Sequence, residues 1–413
     1  MAKQFVDASG KGPSSGYRVS FRSRMYGYTE DEIQAVVDVL RSDRGLTQGE
    51  YQEKFEADFK AFTGAAHAAA ISSGTGALWI AGRLCGLQPG DEVIIPAYTF
   101  CATAVALGAT GARIVWADID PASRTISPED FERKITRRTK AVVPVHLLGM
   151  PCDMDAILEI AARRGIRVIE DCAQAPGARY KGRRVGSMGD FGCFSFNGAK
   201  NLTTLGEGGM LTVRDTTEFR RVEGIRHNGV HDFAPGRQRY WVPAMSNVDL
   251  DQEGVWPQKL CMNEAQCAIG SLLLKRLDSV NATLRAQLER MRALLAPSGY
   301  FTFQDAGAER ESVAHACVVG VDTGKLGASR EDLMDVLTSA YSIKLIVQYY
   351  PLYKYPLFQK MGLGDADCPN LEDYWPTSYS YPWWCGVPDE TLTYMAASTL
   401  EAVAQLRAAT AVV

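Results

Sequence analysis

Long apolar runs are missing from this chain of 413 residues: the stretch Ala102 to Ala112 stops at Arg113, and spanning a bilayer takes about eighteen consecutive apolar residues. Membrane insertion is therefore not expected. An excess of positive charge is missing too. Lys and Arg number 44 against 48 Asp and Glu, for a formal charge of −4, which gives no global field to gather nucleic acid or anionic membrane and makes small molecules the better default partner. The ten cysteines, scattered from Cys85 to Cys385, form no CxxC pair, and neither they nor the five histidines show ligand spacing. No metal is expected, and with Cys172, Cys193 and Cys267 inside apolar runs a reducing cytoplasm fits best. No GxGxxG follows the first strand, which leaves little for a nicotinamide dehydrogenase. Met1 to Gly16 is small, polar and glycine-rich without the apolar core of a signal peptide, and reads as a flexible arm.

What is present is ample apolar material. With 46% hydrophobic and 22% charged residues, the chain is long enough for a large core and more than one domain. Glu30 to Ser42 carries Ile33, Val36, Val37 and Leu40 at helical spacing behind the cap signal Thr29-Glu30-Asp31-Glu32. From residue 50 onward, helical segments alternate with β-rich runs: Glu92 to Pro96, Arg113 to Asp118, Ala141 to Leu147, Arg167 to Glu170, Phe191 to Phe196 and Met210 to Val213. That alternation predicts an α/β fold with a mostly parallel central sheet flanked by helices. A helical pattern from Leu273 to Leu295 leads to Pro297-Ser298-Gly299, after which a smaller α+β domain is expected. The division is thus an arm over 1–16, a large domain over 17–272 and a small C-terminal domain over 273–413, with 17–50 able to pack against the latter. Residues 341 to 385 are rich in Tyr and Trp and read mainly as small-domain core, with a few, Tyr349 among them, lining a substrate mouth.

Ligands of open α/β sheets sit beyond the carboxyl ends of the strands. Phe100, Asp171 and the loop carrying Lys200 all fall there. Lys200 follows Phe194-Ser195-Phe196-Asn197-Gly198-Ala199 and precedes Gly206-Glu207-Gly208-Gly209, so its backbone can approach a ligand closely. About thirty residues upstream, Asp171 closes the run Ile169-Glu170-Asp171 beside small residues. Pyridoxal 5'-phosphate (PLP) needs such a pair: an amine to hold it as a Schiff base and a carboxylate to keep its ring nitrogen protonated. Taken singly, Lys200 would be an ordinary surface lysine and Asp171 a helix cap. Ser72-Ser73-Gly74-Thr75-Gly76 before a helix near Leu78 offers hydroxyls and free amides for a phosphate, with Ser195 adding to it. Phe100, in Pro96-Ala97-Tyr98-Thr99-Phe100, can stack on the ring.

These motifs together resemble the DegT/DnrJ/EryC1/StrS family of PLP-dependent sugar aminotransferases, of fold type I. The likeness runs from about Met25 to Leu274 and more loosely onward, through Gly45-Leu46-Thr47-Gln48-Gly49, Ser73-Gly74-Thr75, Pro96-Ala97-Tyr98-Thr99-Phe100, Glu170-Asp171-Cys172-Ala173-Gln174-Ala175, Phe194-Ser195-Phe196 with Lys200-Asn201-Leu202, and Gly206-Glu207-Gly208-Gly209. The resemblance implies Lys200 as Schiff-base lysine and proton shuttle, Asp171 at the ring nitrogen, Gln174 near the ring hydroxyl and Phe100 stacked on the ring. It further implies Gly74, Thr75, Gly76 and Ser195 around the phosphate. Two departures stand out. Pro176 occupies a position where relatives commonly have His, and Lys259-Leu260-Cys261 replaces the Asn-Tyr-Arg/Lys segment through which a neighbouring subunit reaches the phosphate, leaving Lys259 to supply that charge.

In the activity so implied, glutamate or glutamine gives its amine, the cofactor cycles through pyridoxamine 5'-phosphate, and a keto-sugar (nucleotide-linked, phosphorylated or free) or keto-cyclitol accepts it within a homodimer with shared active sites. Arg226-His227-Asn228-Gly229 and Arg237-Gln238-Arg239 lie in a glycine-containing segment expected to be a mobile loop, where Arg226, His227, Arg237 and Arg239 can meet an anionic group of the acceptor. The rivals are a PLP-dependent sugar dehydratase of the same family, whose members typically carry His in place of the lysine, and a non-catalytic PLP-binding regulator, for which no basic recognition helix is evident.

Overall fold

The computed structural model describes residues 16–230, 243, 245–305 and 307–410. Nearly all of the N-terminal arm, and Arg237 and Arg239, lie outside these described residues. Seven strands form the main sheet: β1 (His67–Ile71), β2 (Glu92–Pro96), β3 (Arg113–Ala117), β4 (Thr139–Val142), β5 (Arg167–Asp171) and, after the two-residue strands β6 (Arg179–Tyr180) and β7 (Arg183–Arg184), β8 (Phe191–Ser195) and β9 (Gly209–Val213). Their order is β1-β9-β8-β5-β4-β2-β3. From β3 to β8 every pairing is parallel; β9 runs antiparallel between β8 and β1. The sheet is mostly parallel, as expected, and β9 is its one reversed strand. Because β1 and β8 both oppose β9, they point the same way as β2, β3, β4 and β5, so six strands deliver their carboxyl ends to one edge.

Burial explains the strand composition. β2 is buried at every position, as a parallel strand covered on both faces must be. Ala69, Ile71, Val93 and Ile95 enter one core, whereas Ala68, Ala70 and Ile94 enter another on the opposite face, following the two-residue alternation of a strand. Helix α1 (Glu30–Arg41) opens on a capping box between Thr29 and Glu32, and α2 (Glu50–Thr63) ends at Gly64 in the left-handed region. Helices α3 (Gly74–Leu84) and α4 (Ala102–Gly108) follow β1 and β2.

The long C-terminal helix begins at Glu264, well before the periodic run from Leu273, and extends to Leu295 with its own capping box of Asn263 and Gln266. Its first turns bury Glu264 and Ser271 among apolar side chains, which blurs the apolar stripe there. Beyond it, Phe301–Thr302, Val318–Val321 and Ser378–Ser380 make a three-stranded sheet. A third core beneath it takes Tyr379, Tyr381, Trp383 and Trp384, and also Val19 and Met25 from the N-terminal side. The backbone joins these segments directly, with Val19 bridged to Ile343 and Cys385 N donating to Met25 O at 2.9 Å. No helix among the described residues is long and apolar enough to cross a membrane.

Candidate active site

At the carboxyl end of β1, Ser73 caps α3 by accepting from Gly76 N at 3.0 Å. Ser195, the last residue of β8, lies against the same turn: a Cβ on Gly74 would sit 2.9 Å from Ser195 Cβ and 3.3 Å from Phe194 O. Gly74 therefore permits the close approach of two strand ends. Thr75 in the first turn of α3 and Ser195 at the end of β8 thus flank the same turn, and a helix N-terminus is a ready anion site. Gly76 does not belong to it in the way expected. Its N–H is taken by Ser73, and its Cα packs against Ile71 and Leu260, where a Cβ would lie at 3.1 and 3.4 Å. Its role is close packing.

Asp171 closes β5, next to β8 in the sheet, and is buried. Its Oδ2 accepts from Thr103 Oγ1 at 2.8 Å and its Oδ1 from Ala173 N at 3.1 Å. Thr103 Oγ1 also lies 3.3 Å from Phe100 O, but a hydroxyl has one proton and the shorter contact to the carboxylate takes it. Burial pushes the Asp171 carboxyl up from its ordinary range, while Thr103, Ala173 N–H and the charge of Lys200 pull it down less strongly. A carboxylate with two hydrogen bonds has acceptor capacity to spare. Lys200, partly buried on the loop after β8, has its ammonium pushed down to about 8 by burial, with Asp171 acting in the opposite sense. An amine poised near neutrality beside an under-satisfied buried acid is the donor set that PLP requires.

Gln174 is buried three residues beyond Asp171; its Oε1 accepts from Leu148 N at 2.8 Å and its Nε2 reaches Tyr349 Oη at 3.3 Å. Burial pushes the Tyr349 hydroxyl up to about 12. Its ring lies 6.2 Å from that of Phe100, which is 51% exposed and so keeps a free face. Thus Gly74, Thr75, Ser195, Asp171, Gln174, Lys200, Phe100 and Tyr349 converge on one edge of the sheet.

Arg226 requires correction. It is the last residue of the helix Thr216–Arg226, is buried, and donates through Nη1 to Glu56 Oε1 at 2.7 Å and to Ala70 O at 2.9 Å. Its charge is committed to Glu56 and Glu223, so it cannot serve as a free loop cation. Arg226→Met should cost about 3–5 kcal/mol in urea unfolding, because the mostly buried Glu56 carboxylate loses its cation and keeps only the Ala70 N–H, while the Michaelis constant for the acceptor stays unchanged. His227 caps that helix, with Nδ1 2.7 Å from Gln48 Nε2. The backbone of Lys259 bridges to it, and Lys259 itself is exposed.

Several neighbours escaped the motif reading. Thr103 lies in a run of small residues that looks like plain helix. His315 Nδ1 lies 2.9 Å from Asn201 Oδ1, and burial with the charge of Lys200 pushes that imidazole well below its ordinary value. His146, Glu170 and Cys172 bring one ligand atom each within 4.8 Å of one another, a cluster drawn from separated positions that no spacing rule detects. Burial raises the Cys172 thiol well above its ordinary value, and Glu170 is already fully hydrogen-bonded, so the cluster reads as a polar network.

An open α/β sheet with this lysine and acid at its carboxyl edge defines the fold-type-I PLP enzymes. The model of the DegT/DnrJ/EryC1/StrS aminotransferase family matches residues 27–399. The chain belongs to that family and is a PLP-dependent sugar aminotransferase. Among curated relatives it is 37% identical over 370 residues to the spore coat polysaccharide biosynthesis protein SpsC of Bacillus subtilis, covering 87% of this chain and 91% of that one. It is 38% identical over 276 residues to the L-glutamine:2-deoxy-scyllo-inosose aminotransferase of Streptoalloteichus tenebrarius, covering 65% and 63%. Among solved structures, DesV of S. venezuelae in complex with a ketimine intermediate superposes with a TM-score of 0.78 at 31% identity, over 90% of this chain and 94% of that one.

Proposed function

We propose that this aminotransferase moves an amine from glutamate or glutamine to a keto-sugar or keto-cyclitol, with Lys200 as the residue that binds PLP and shuttles the proton. The observation that supports the assignment is the placement of a buried acid, Asp171, at the end of β5 and of Lys200 on the loop that follows the neighbouring strand β8, near enough for each charge to act on the other. When bound, PLP supplies an electron sink for the charge left at the donor Cα. The rest falls to side chains. Asp171 would hold the ring nitrogen, Gly74, Thr75 and Ser195 would hold the phosphate at the N-terminus of α3, Phe100 would stack on the ring and Gln174 would face its hydroxyl. Lys200 Nζ, neutral once displaced, takes the proton from the donor Cα and returns it in the acceptor half. Tyr349 and His227 border the acceptor.

The substrate class is supported by relatives named for a cyclitol acceptor and for polysaccharide biosynthesis. We read 17–272 as a PLP-binding unit and 273–413 as a smaller one, with the helix Glu264–Leu295 running through the boundary. We read the protein as a cytoplasmic homodimer in which Lys259 reaches the partner's phosphate. The test offers purified protein 2-deoxy-scyllo-inosose and a panel of UDP-linked, phosphorylated and free keto-sugars with ¹⁵N-labelled glutamate or glutamine. Mass spectrometry should find label in one acceptor. Deoxygenated product without label would point to a dehydratase instead, and no turnover on any acceptor would defeat the reading.

A further inference from the structure

Behind Asp171 lies a second acid that the chemistry above does not use. Consecutive residues of a strand face opposite sides, so Glu170 points away from Thr103 and the lysine. Its carboxylate is fully buried and collects four donors: Met188 N at 2.7 Å and Gly189 N at 2.6 Å on Oε1, Gly186 N at 2.8 Å and His146 Nε2 at 3.1 Å on Oε2. Burial works against its charge, but the His146 imidazole and these peptide N–H groups outweigh it and hold the carboxyl below its ordinary range. His146 Nδ1 accepts from Cys152 N at 3.1 Å. That nitrogen carries no proton, so the proton resides on Nε2 and is donated to Glu170.

The imidazole thus fastens the segment 144–152 between its own far end and β5. That segment in turn holds both proposed ring contacts. Asp171 N donates to Pro144 O at 2.9 Å and His146 N to Asp171 O at 3.0 Å, while Leu148 N fixes the Gln174 side chain. Leu148 O also receives His315 N at 3.0 Å. We infer that His146 and Glu170 form a buried positioning couple that aligns Asp171 and Gln174 and thereby sets how tightly the ring end of the site grips PLP. The inference rests on the reading of Asp171 and Gln174 as ring contacts. Charged and polar groups facing the couple are Asp171, Cys152 and Cys172, with Lys200 beyond Asp171.

The test measures two quantities on cofactor-free protein: the dissociation constant for added PLP and the melting temperature. His146→Leu removes the donor and the Cys152 acceptor together; His146→Gln keeps an amide that can reach Glu170; Leu337→Ala cuts the third core away from the sheet edge. His146→Leu should weaken PLP about tenfold, the scale on which supporting partners act on a first contact, and His146→Gln should recover most of it. Leu337→Ala should lower the melting temperature with PLP affinity intact. Should His146→Leu not fold, His146→Asn, too short to span to Glu170, takes its place with the same expectation. Unchanged affinity in His146→Leu or its substitute His146→Asn, or equal weakening in Leu337→Ala, overturns the couple. Asp171→Asn binding PLP as tightly as the natural protein would instead defeat the reading of the ring contact while leaving the His146 result to stand on its own.

Discussion

Lys200→Ala should abolish transamination, lowering turnover by more than about 10⁴-fold, because it removes both the covalent anchor and the acid–base group in each half-reaction. Borohydride, which should fix PLP to the natural protein, should leave the variant unlabelled; labelling that persists would assign the link to another lysine. A second consequence concerns stability. Lys200 is lowered from an ordinary 10.5 to about 8 in the fold, so between these values the unfolded chain binds more protons than the native one, and native stability rises with pH across that window. Below pH 8 the cofactor-free protein carries the full penalty of an ammonium in poor solvation. Lys200→Met should therefore be more stable than the natural protein at pH 7 by about 2 kcal/mol, once its contact with solvent is allowed for. The gain should shrink as pH rises above 8 and vanish above about 10.5. Urea titrations of cofactor-free protein at pH 7 and pH 10 check the sign, and a gain that stays constant with pH would contradict it.

The legibility of this site in the sequence follows from how locally each feature is written. β2 was readable to the residue, because a strand covered on both faces is a continuous apolar run between a charge and a turn. The turn Ser73-Gly74-Thr75 and the Lys200 loop were readable because glycine and small polar residues cluster where a backbone must approach a ligand. The reversed strand β9 was not, since period and composition do not encode direction. The fate of Arg226 was hidden for a different reason: Glu56, the partner that buries its charge, lies on α2, and long-range ion pairs leave no local signature. The same holds for Thr103 and His146. Each acts on Asp171 through a contact made only when α4 and the segment after β4 come to rest beside β5.

Asp171→Asn should cut turnover by about 10²–10³-fold, the usual loss when one preorganised electrostatic partner of a reacting centre is removed. Asparagine has nearly the same shape and can still accept from Thr103, so the loss isolates charge from packing. Thr103→Val, which leaves the carboxylate but deprives it of its 2.8 Å partner, should fall between the two. Stability should move the other way. Burial raises the Asp171 carboxyl in the cofactor-free fold, so the unfolded chain gives up its proton first, and the stability tied to the protonated form is lost as pH climbs through the raised value. Once ionised, the natural protein has lost it, whereas Asp171→Asn has no charge to desolvate. The cofactor-free variant should consequently melt at or above the natural temperature at pH 7 while binding PLP more weakly. If the variant were instead markedly less stable without cofactor, Asp171 would be a structural anchor of β5, and the under-satisfied carboxylate would no longer mark the place of a cationic ring.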